Sequence, residues 1–228
     1  MSADGTLRAK AFLGLAQLAV ALGVAMFLSA GTMRWVHGWV FLLVFVGASL
    51  VVTLYLMKHD PGLLARRLEA GPAAEKRPRQ QLIQVFASAG FLGVMIVPGL
   101  DHRHGWSRVP LPFVVLGELL VCAGLIIIFF VFKENSYASS TIEVGAGQKV
   151  IDTGPYARVR HPMYTGALIM LAGVPLALGS WWGLLTLVPL VGIVVWRLLD
   201  EEVLLGQQLA GYEDYRRRTR HRLIPHVW

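Results

Sequence analysis

Residues Leu111 to Phe132 read LPFVVLGELLVCAGLIIIFFVF, a nearly unbroken apolar run. As a helix rising about 1.5 Å per residue, it is long enough to cross the roughly 30 Å hydrocarbon core of a bilayer. Working outward, comparable runs occupy Ala9–Ala30, Trp35–Met57 and Leu82–Leu100 before it, and Pro162–Gly179 and Trp181–Leu199 after it. The last two meet at Gly179-Ser180 and predict a tight helical hairpin, whose depth Pro175 and Pro189 leave open. The expected fold class is therefore all-α, a polytopic transmembrane helix bundle of about six membrane segments. No linker divides it, so residues 1–228 read as a single integral-membrane domain, with 1–132 as N-terminal transmembrane helices and 133–228 as a polar-loop-bearing region. Composition agrees: 55% of residues are hydrophobic and 15% charged, with a mean hydropathy of +0.58, too apolar for an ordinary soluble domain.

The first apolar run follows Arg8 and Lys10, as a signal peptide would, but exceeds the roughly 7–15 apolar residues of a signal core; a retained helix is expected. The formal charge is +7, which raises the question of nucleic acid. Its distribution answers it. With six spans, one side collects Arg8 and Lys10, six basic residues from Lys58 to Arg79, then Lys133, Lys149, Arg158 and Arg160, and finally Arg197 with five from Arg216 to Arg222. The opposite loops hold only Arg34, Arg103 and Arg108. This is a positive-inside pattern. It predicts a multi-pass protein with both termini and the polar clusters cytoplasmic, membrane lipids as partners, and no nucleic acid. The lone Cys122 excludes an intramolecular disulfide, and His102-Arg103-His104 is too isolated for a convincing metal site, so no metal is expected. Oligomeric state is not written in the sequence.

Two polar clusters bracket the last apolar pair. The first runs from Gly154 through Pro155, Tyr156, Arg158, Arg160, His161, Pro162, Met163 and Tyr164 to Gly166. Pro162 suits the first turn of a helix, which places His161 at the entrance, beside free N–H groups and the positive end of the helix dipole. With Arg158 and Arg160, this makes an anion-accepting corner flanked by the faces of Tyr156 and Tyr164. The second cluster is Arg197 to Glu202, where Arg197 and Glu201 share a helix face. A plain interfacial anchor accounts for either cluster alone. Brought to one side by the hairpin, they also suit a zwitterionic cofactor and an anionic substrate. Motifs for phosphate loops, zinc proteases and hydrolase nucleophile elbows are absent.

Gly154-Pro155-Tyr156, Arg160-His161-Pro162-Met163-Tyr164-Thr165-Gly166, Glu201-Glu202, Gly211-Tyr212-Glu213-Asp214-Tyr215 and Arg222-Leu223-Ile224-Pro225 together resemble the isoprenylcysteine carboxyl methyltransferase family. Its superfamily also includes phospholipid N-methyltransferases. The resemblance implies a membrane methyltransferase using S-adenosyl-L-methionine, with residues 133–228 as the cofactor-binding and catalytic region. It implies a cofactor pocket lined by a strand-like run Gln148, Lys149, Val150 and Ile151, by Tyr156, and by His161, Pro162, Met163 and Tyr164. Glu201 would hold the cofactor's amino group and Arg197 an acidic acceptor. Glu202 is the nearest base should the nucleophile be an amine. The implied acceptor is a lipidic or amphipathic carboxylate, methylated directly, with phospholipid, amine and thiol acceptors as alternatives. A reductase of the sterol-reductase type using NADPH, and a non-enzymatic membrane scaffold or transporter, are the competing readings.

Overall fold

The computed structural model describes residues 3–145 and 147–228, with side chains from Gly5 onward; Met1, Ser2 and Ala146 lie outside the described residues. Among those described, all regular structure is helical. Six apolar helices form the bundle: α1 (Ala3–Ala30), α2 (Val36–His59), α4 (Pro78–His104), α5 (Leu111–Glu134), α6 (Pro162–Ala177) and α7 (Leu187–Gln208). Two short helices complete the set, α3 (Pro61–Leu68) and α8 (Tyr212–Arg218). Five segments are long and apolar enough to cross a membrane, and Pro162–Ala177 is a shorter apolar helix. The chain is thus a multi-pass helical bundle, with one refinement of the sequence reading. At 16 residues, α6 extends only about 24 Å, short of the roughly 30 Å hydrocarbon core.

The interior is apolar and the outside more so, as expected where lipid replaces water. Met26, Phe41, Val94, Met95, Val121, Val174 and Ala177 are fully buried between α1, α2, α4, α5 and α6, while Leu28, Leu43 and Val188 face outward. Helices α5 and α6 approach each other closely. An added Cβ on Gly117 would lie 2.2 Å from the Ala177 nitrogen and 2.7 Å from the Gly173 oxygen, and one on Gly124 would lie 2.4 Å from the Gly166 oxygen. Small residues let helix backbones touch where no hydrophobic effect drives them together. So α6, which the first polar cluster opens, is seated chiefly by α5. Gly117→Ala is expected to destabilise the bundle by about 1–3 kcal/mol, as overpacking does. Gly192→Ala, where a Cβ meets nothing within 4 Å, is expected to be silent. Unfolding of the solubilised protein in sodium dodecyl sulfate compares the two.

The connections alternate between two ends. At one end, α1 meets α2, α4 meets α5 and α6 meets α7 through short turns. Here buried Asp101 accepts hydrogen bonds from the Ser107 backbone at 2.7 Å and from the Ser107 and Ser180 hydroxyls. The other end, called here the loop face, carries the long polar connections 60–77 and 135–161 and the C-terminal tail. Helix α3 starts at Pro61, with the Asp60 side chain accepting from the Leu63 N–H at 2.8 Å, an N-terminal cap. Leu63 and Leu64 are buried against Ala11, Leu56, Val131 and Phe132, and the Arg66 and Arg67 side chains reach across to the carbonyls of Ser136 and Ser139. The basic loop therefore fastens the 135–141 segment over the bundle.

Candidate functional site at the loop face

The corner at His161 is fixed by its backbone first. Arg160 and His161 donate their N–H groups to the His221 and Arg222 carbonyls at 2.9 and 3.0 Å, so the tail runs alongside the entrance to α6. Pro162 opens the helix and Thr165 N–H bonds the His161 carbonyl at 3.1 Å. Since Pro162 has no N–H, the first-turn donors of Met163 and Tyr164 remain without an intrahelical acceptor.

Glu202, on α7, holds this corner together. Its Oε1 accepts from Arg160 Nε at 2.7 Å and lies 3.2 Å from His161 Nε2, and its Oε2 accepts from Arg222 Nε at 2.9 Å. Arg160 also donates to the Thr219 and Arg220 carbonyls at 2.9 and 2.8 Å. Glu202 and Arg160 are both 6% exposed. Two residues expected to meet ligand are thus held by protein partners. The Arg160 guanidinium is shared between Glu202 and two carbonyls. Glu202 has both oxygens occupied and does not line the cavity described below. The tail residue Arg222 belongs to the same knot.

Above the corner lies a cavity of about 520 Å³, within the usual range for small-molecule sites of about 300–1,000 Å³. Gln148, Lys149, Val150, Ile151, Tyr156, His161, Pro162, Met163, Tyr164, Arg197 and Glu201 all line it. Of the residues assigned to the pocket, Glu202 stands behind the wall, and Arg158 of the anion-accepting corner does not line the cavity either. The run 148–151 is irregular chain and not a strand. Val150 packs with Tyr156, Leu205, Leu209, Tyr212 and Tyr215. Tyr156 is anchored at both ends: its hydroxyl accepts from Asn135 Nδ2 at 2.8 Å and its carbonyl accepts from the Tyr215 hydroxyl at 2.8 Å. Burial pushes the Tyr156 phenol up to about 12, so it stays neutral and acts as a wall.

Helix α7 presents its acids in three directions. Asp200 is buried against Arg77 and Arg79 at 3.0 and 3.2 Å and accepts from the Gln80 side chain. Glu202 faces the corner. Glu201 faces the cavity, where its Oε2 accepts from the Tyr164 hydroxyl at 2.7 Å; its Oε1 has no donor among the described residues. The Arg197–Glu201 pair that the spacing allows does not form. Instead Arg197 donates to Glu75 Oε1 at 2.9 Å, to the Ser140 carbonyl at 2.9 Å and to Gln80 Oε1 at 3.1 Å. Glu75 is 2% exposed and its other oxygen accepts from the Ile142 N–H at 3.3 Å. Arg197 thus staples loops 69–77 and 135–144 over the cavity, with its charge matched by Glu75.

Several residues that build the site carry no local signal. Glu75, Gln80, Asn135 and Ser140 sit in stretches that read as positive-inside loops, and Arg67 belongs to a helix that reads as an anchor. Gln80 and Gln84, polar residues opening an apolar helix, were the only trace available. One hydroxyl is conspicuous: Tyr212, buried on the cavity wall, has no hydrogen-bond partner for its oxygen.

Comparison with known proteins adds a partial family match. The family model for phospholipid methyltransferase matches residues 112–210, from α5 to just past α7, a range that includes the α5–α6 pair, the His161 corner and the three acids of α7. The match lies within the membrane methyltransferase superfamily that the motifs resemble, on its phospholipid branch and not specifically the isoprenylcysteine one. The chain is also similar to a Delta(14)-sterol reductase from Mus musculus, at 26% identity over 141 residues, covering 52% of this chain and 33% of the relative. The chain spans about a third of that relative's length.

Proposed function

We propose that this protein is an S-adenosylmethionine-dependent methyltransferase of the membrane, acting on a lipidic acceptor at the cytoplasmic face. The observation that carries the reading is that one cavity at the loop face gathers the His161 corner, the 148–151 wall and Glu201. The similarity to phospholipid methyltransferases over 112–210 supports the reaction class. The excess of Lys and Arg on the loop face supports its orientation. The whole chain acts as one domain, because the α3 and α4 regions close the cavity formed by residues 133–228.

The donor set fits such a cofactor. It has a carboxylate, an amino group and a nucleoside, and the cavity offers a matching group for each. The Met163 and Tyr164 N–H groups meet the carboxylate, Glu201 Oε1 accepts from the amino group, and the orphan Tyr212 hydroxyl pairs with a polar atom of the nucleoside. When bound, the cofactor supplies a methyl group already activated on a sulfonium, so no covalent enzyme intermediate is required. The protein's share is positioning and exclusion of water. Tyr164 holds Glu201 in its rotamer. The Glu202 knot keeps the entrance to α6 rigid. The Arg197–Glu75 staple holds the roof closed. The acceptor, a carboxylate-bearing lipid in the preferred form and a phospholipid amine or thiol in the alternative, enters from the bilayer end.

Membranes containing the protein are expected to transfer label from methyl-labelled S-adenosylmethionine into an organic-soluble product; folded protein giving no such product with any lipid fraction contradicts the proposal. The reductase similarity supplies the competing reading, and binding of NADPH in preference to S-adenosylhomocysteine would favour it. Tyr164→Phe, which removes one neutral–charged hydrogen bond to Glu201, is expected to weaken S-adenosylhomocysteine binding about threefold to tenfold, in line with roughly 0.5–1.5 kcal/mol per hydrogen bond. Calorimetric titration checks this.

A further inference from the structure

Three arginines line the cavity: Arg67, Arg160 and Arg197. Two are matched by buried carboxylates, Arg160 by Glu202 at 2.7 Å and Arg197 by Glu75 at 2.9 Å. Arg67 has no carboxylate partner among the described residues. Its guanidinium donates to the Ser139 carbonyl at 3.0 Å, approaches Met163 Sδ at 3.9 Å and lies over the Phe132 ring at 4.9 Å. None of these contacts neutralises it. Burial, and next the nearby charge of Arg197, lower its pKa only to about 10, so it is a cation at neutral pH. A largely desolvated guanidinium without a counter-ion is costly, and near a membrane span such charges mark ligand sites.

Its position indicates which ligand. Arg67 ends α3, beside Phe132 and Met163, where the polar roof meets the bilayer-depth end of the cavity. That end is lined by Gln84 and Ser88 of α4, Ile128 of α5 and Met170 of α6. Gln84 and Ser88 form no hydrogen bond with any described residue, although both lie in a membrane span, where an unpaired polar side chain is disfavoured. The amino group and the carboxylate of the proposed cofactor are already met by Glu201 and the first turn of α6. Arg67 is one positive charge in excess, lining the same cavity as two unpaired neutral polar groups.

We infer that Arg67 is the residue that recognises the acceptor's charge: the molecule entering from the bilayer end is an anionic amphiphile whose carboxylate or phosphate pairs with Arg67 while Gln84 and Ser88 meet its neutral polar groups. This rests on the methyltransferase reading and names the charge class of its acceptor. A cationic or uncharged lipid is excluded by it.

The test is binding and needs no knowledge of the natural acceptor. Octanoate, octyl phosphate and octanol are titrated calorimetrically into the detergent-solubilised full chain loaded with S-adenosylhomocysteine. The two anions are expected to bind at least tenfold more tightly than octanol, and the stronger of the two identifies the acid as carboxylate or phosphate. Arg67→Gln is expected to abolish that preference, and Arg67→Lys to keep most of it, with S-adenosylhomocysteine affinity within twofold of wild type in both. Equal binding of octanoate, octyl phosphate and octanol by wild type overturns the inference. So does an unchanged preference in a folded Arg67→Gln. A tenfold loss of S-adenosylhomocysteine affinity in Arg67→Gln also overturns it, because Arg67 then serves the cofactor. If Arg67→Gln does not fold, the wild-type preference and its retention in Arg67→Lys decide. Wild type that binds the anions through Arg67 but not S-adenosylhomocysteine sinks the methyltransferase reading and leaves the anion site standing.

Discussion

Glu202→Ala is expected to cost the folded state about 3–5 kcal/mol, the usual penalty for removing one partner of a buried ion pair. Arg160 is the reason. It is 6% exposed, and with Glu202 gone its guanidinium keeps only the Thr219 and Arg220 carbonyls. The loss spreads further, because His161 and Arg222 lose the same carboxylate. Arg222 then no longer holds the tail against α7. Glu202→Gln preserves shape and one acceptor, so it is expected to lose less. Unfolding of the purified protein in sodium dodecyl sulfate, followed by circular dichroism, measures both. A Glu202→Ala protein as stable as wild type would mean that the knot does not form. A Glu202→Gln protein with full stability and no activity would instead restore the base role that the sequence invited.

The second large effect belongs to binding. Glu201→Ala is expected to weaken S-adenosylhomocysteine at least tenfold and up to about 150-fold, the range that follows from roughly 1.5–3 kcal/mol for a hydrogen bond to a charged group. The fold should hardly notice. Glu201 pairs with no cation, its one protein partner is the Tyr164 hydroxyl, and it is only partly buried. Adjacent acids on one helix are thus expected to part company: Glu202 for stability, Glu201 for ligand. Calorimetry on the two alanine variants, with melting temperatures measured alongside, separates them. Equal binding losses with equal melting losses would contradict the division.

The membrane bundle was legible because apolar run length is a local property. So was the corner at His161, since Pro162 after a polar stretch marks a helix start wherever it falls. Which cation meets which acid was not legible. Arg197 and Glu201 stand four apart on one helix face, and spacing alone would pair them. In the fold, Glu75 reaches Arg197 from the loop before α4, and Tyr164 takes Glu201. Three successive acids, Asp200, Glu201 and Glu202, look interchangeable as sequence. Successive helix positions differ by about 100° in direction, which sends one to Arg77 and Arg79, one to the cavity and one to Arg160. Arg67 was hidden for a related reason. In a loop rich in Lys and Arg it reads as an anchor, and only the burial of Leu63 and Leu64 turns its side chain toward the cavity. The glycines of α5 and α6 read as ordinary membrane-helix residues, although a Cβ on Gly117 or Gly124 would run into the α6 backbone.

The most direct test of the central claim is calorimetric titration of S-adenosylhomocysteine into the wild-type protein in detergent, with NADPH titrated in parallel. A micromolar dissociation constant for S-adenosylhomocysteine, with one site per chain and no heat from NADPH, is the predicted result. A folded protein that ignores S-adenosylhomocysteine, and above all one that binds NADPH, would contradict the account.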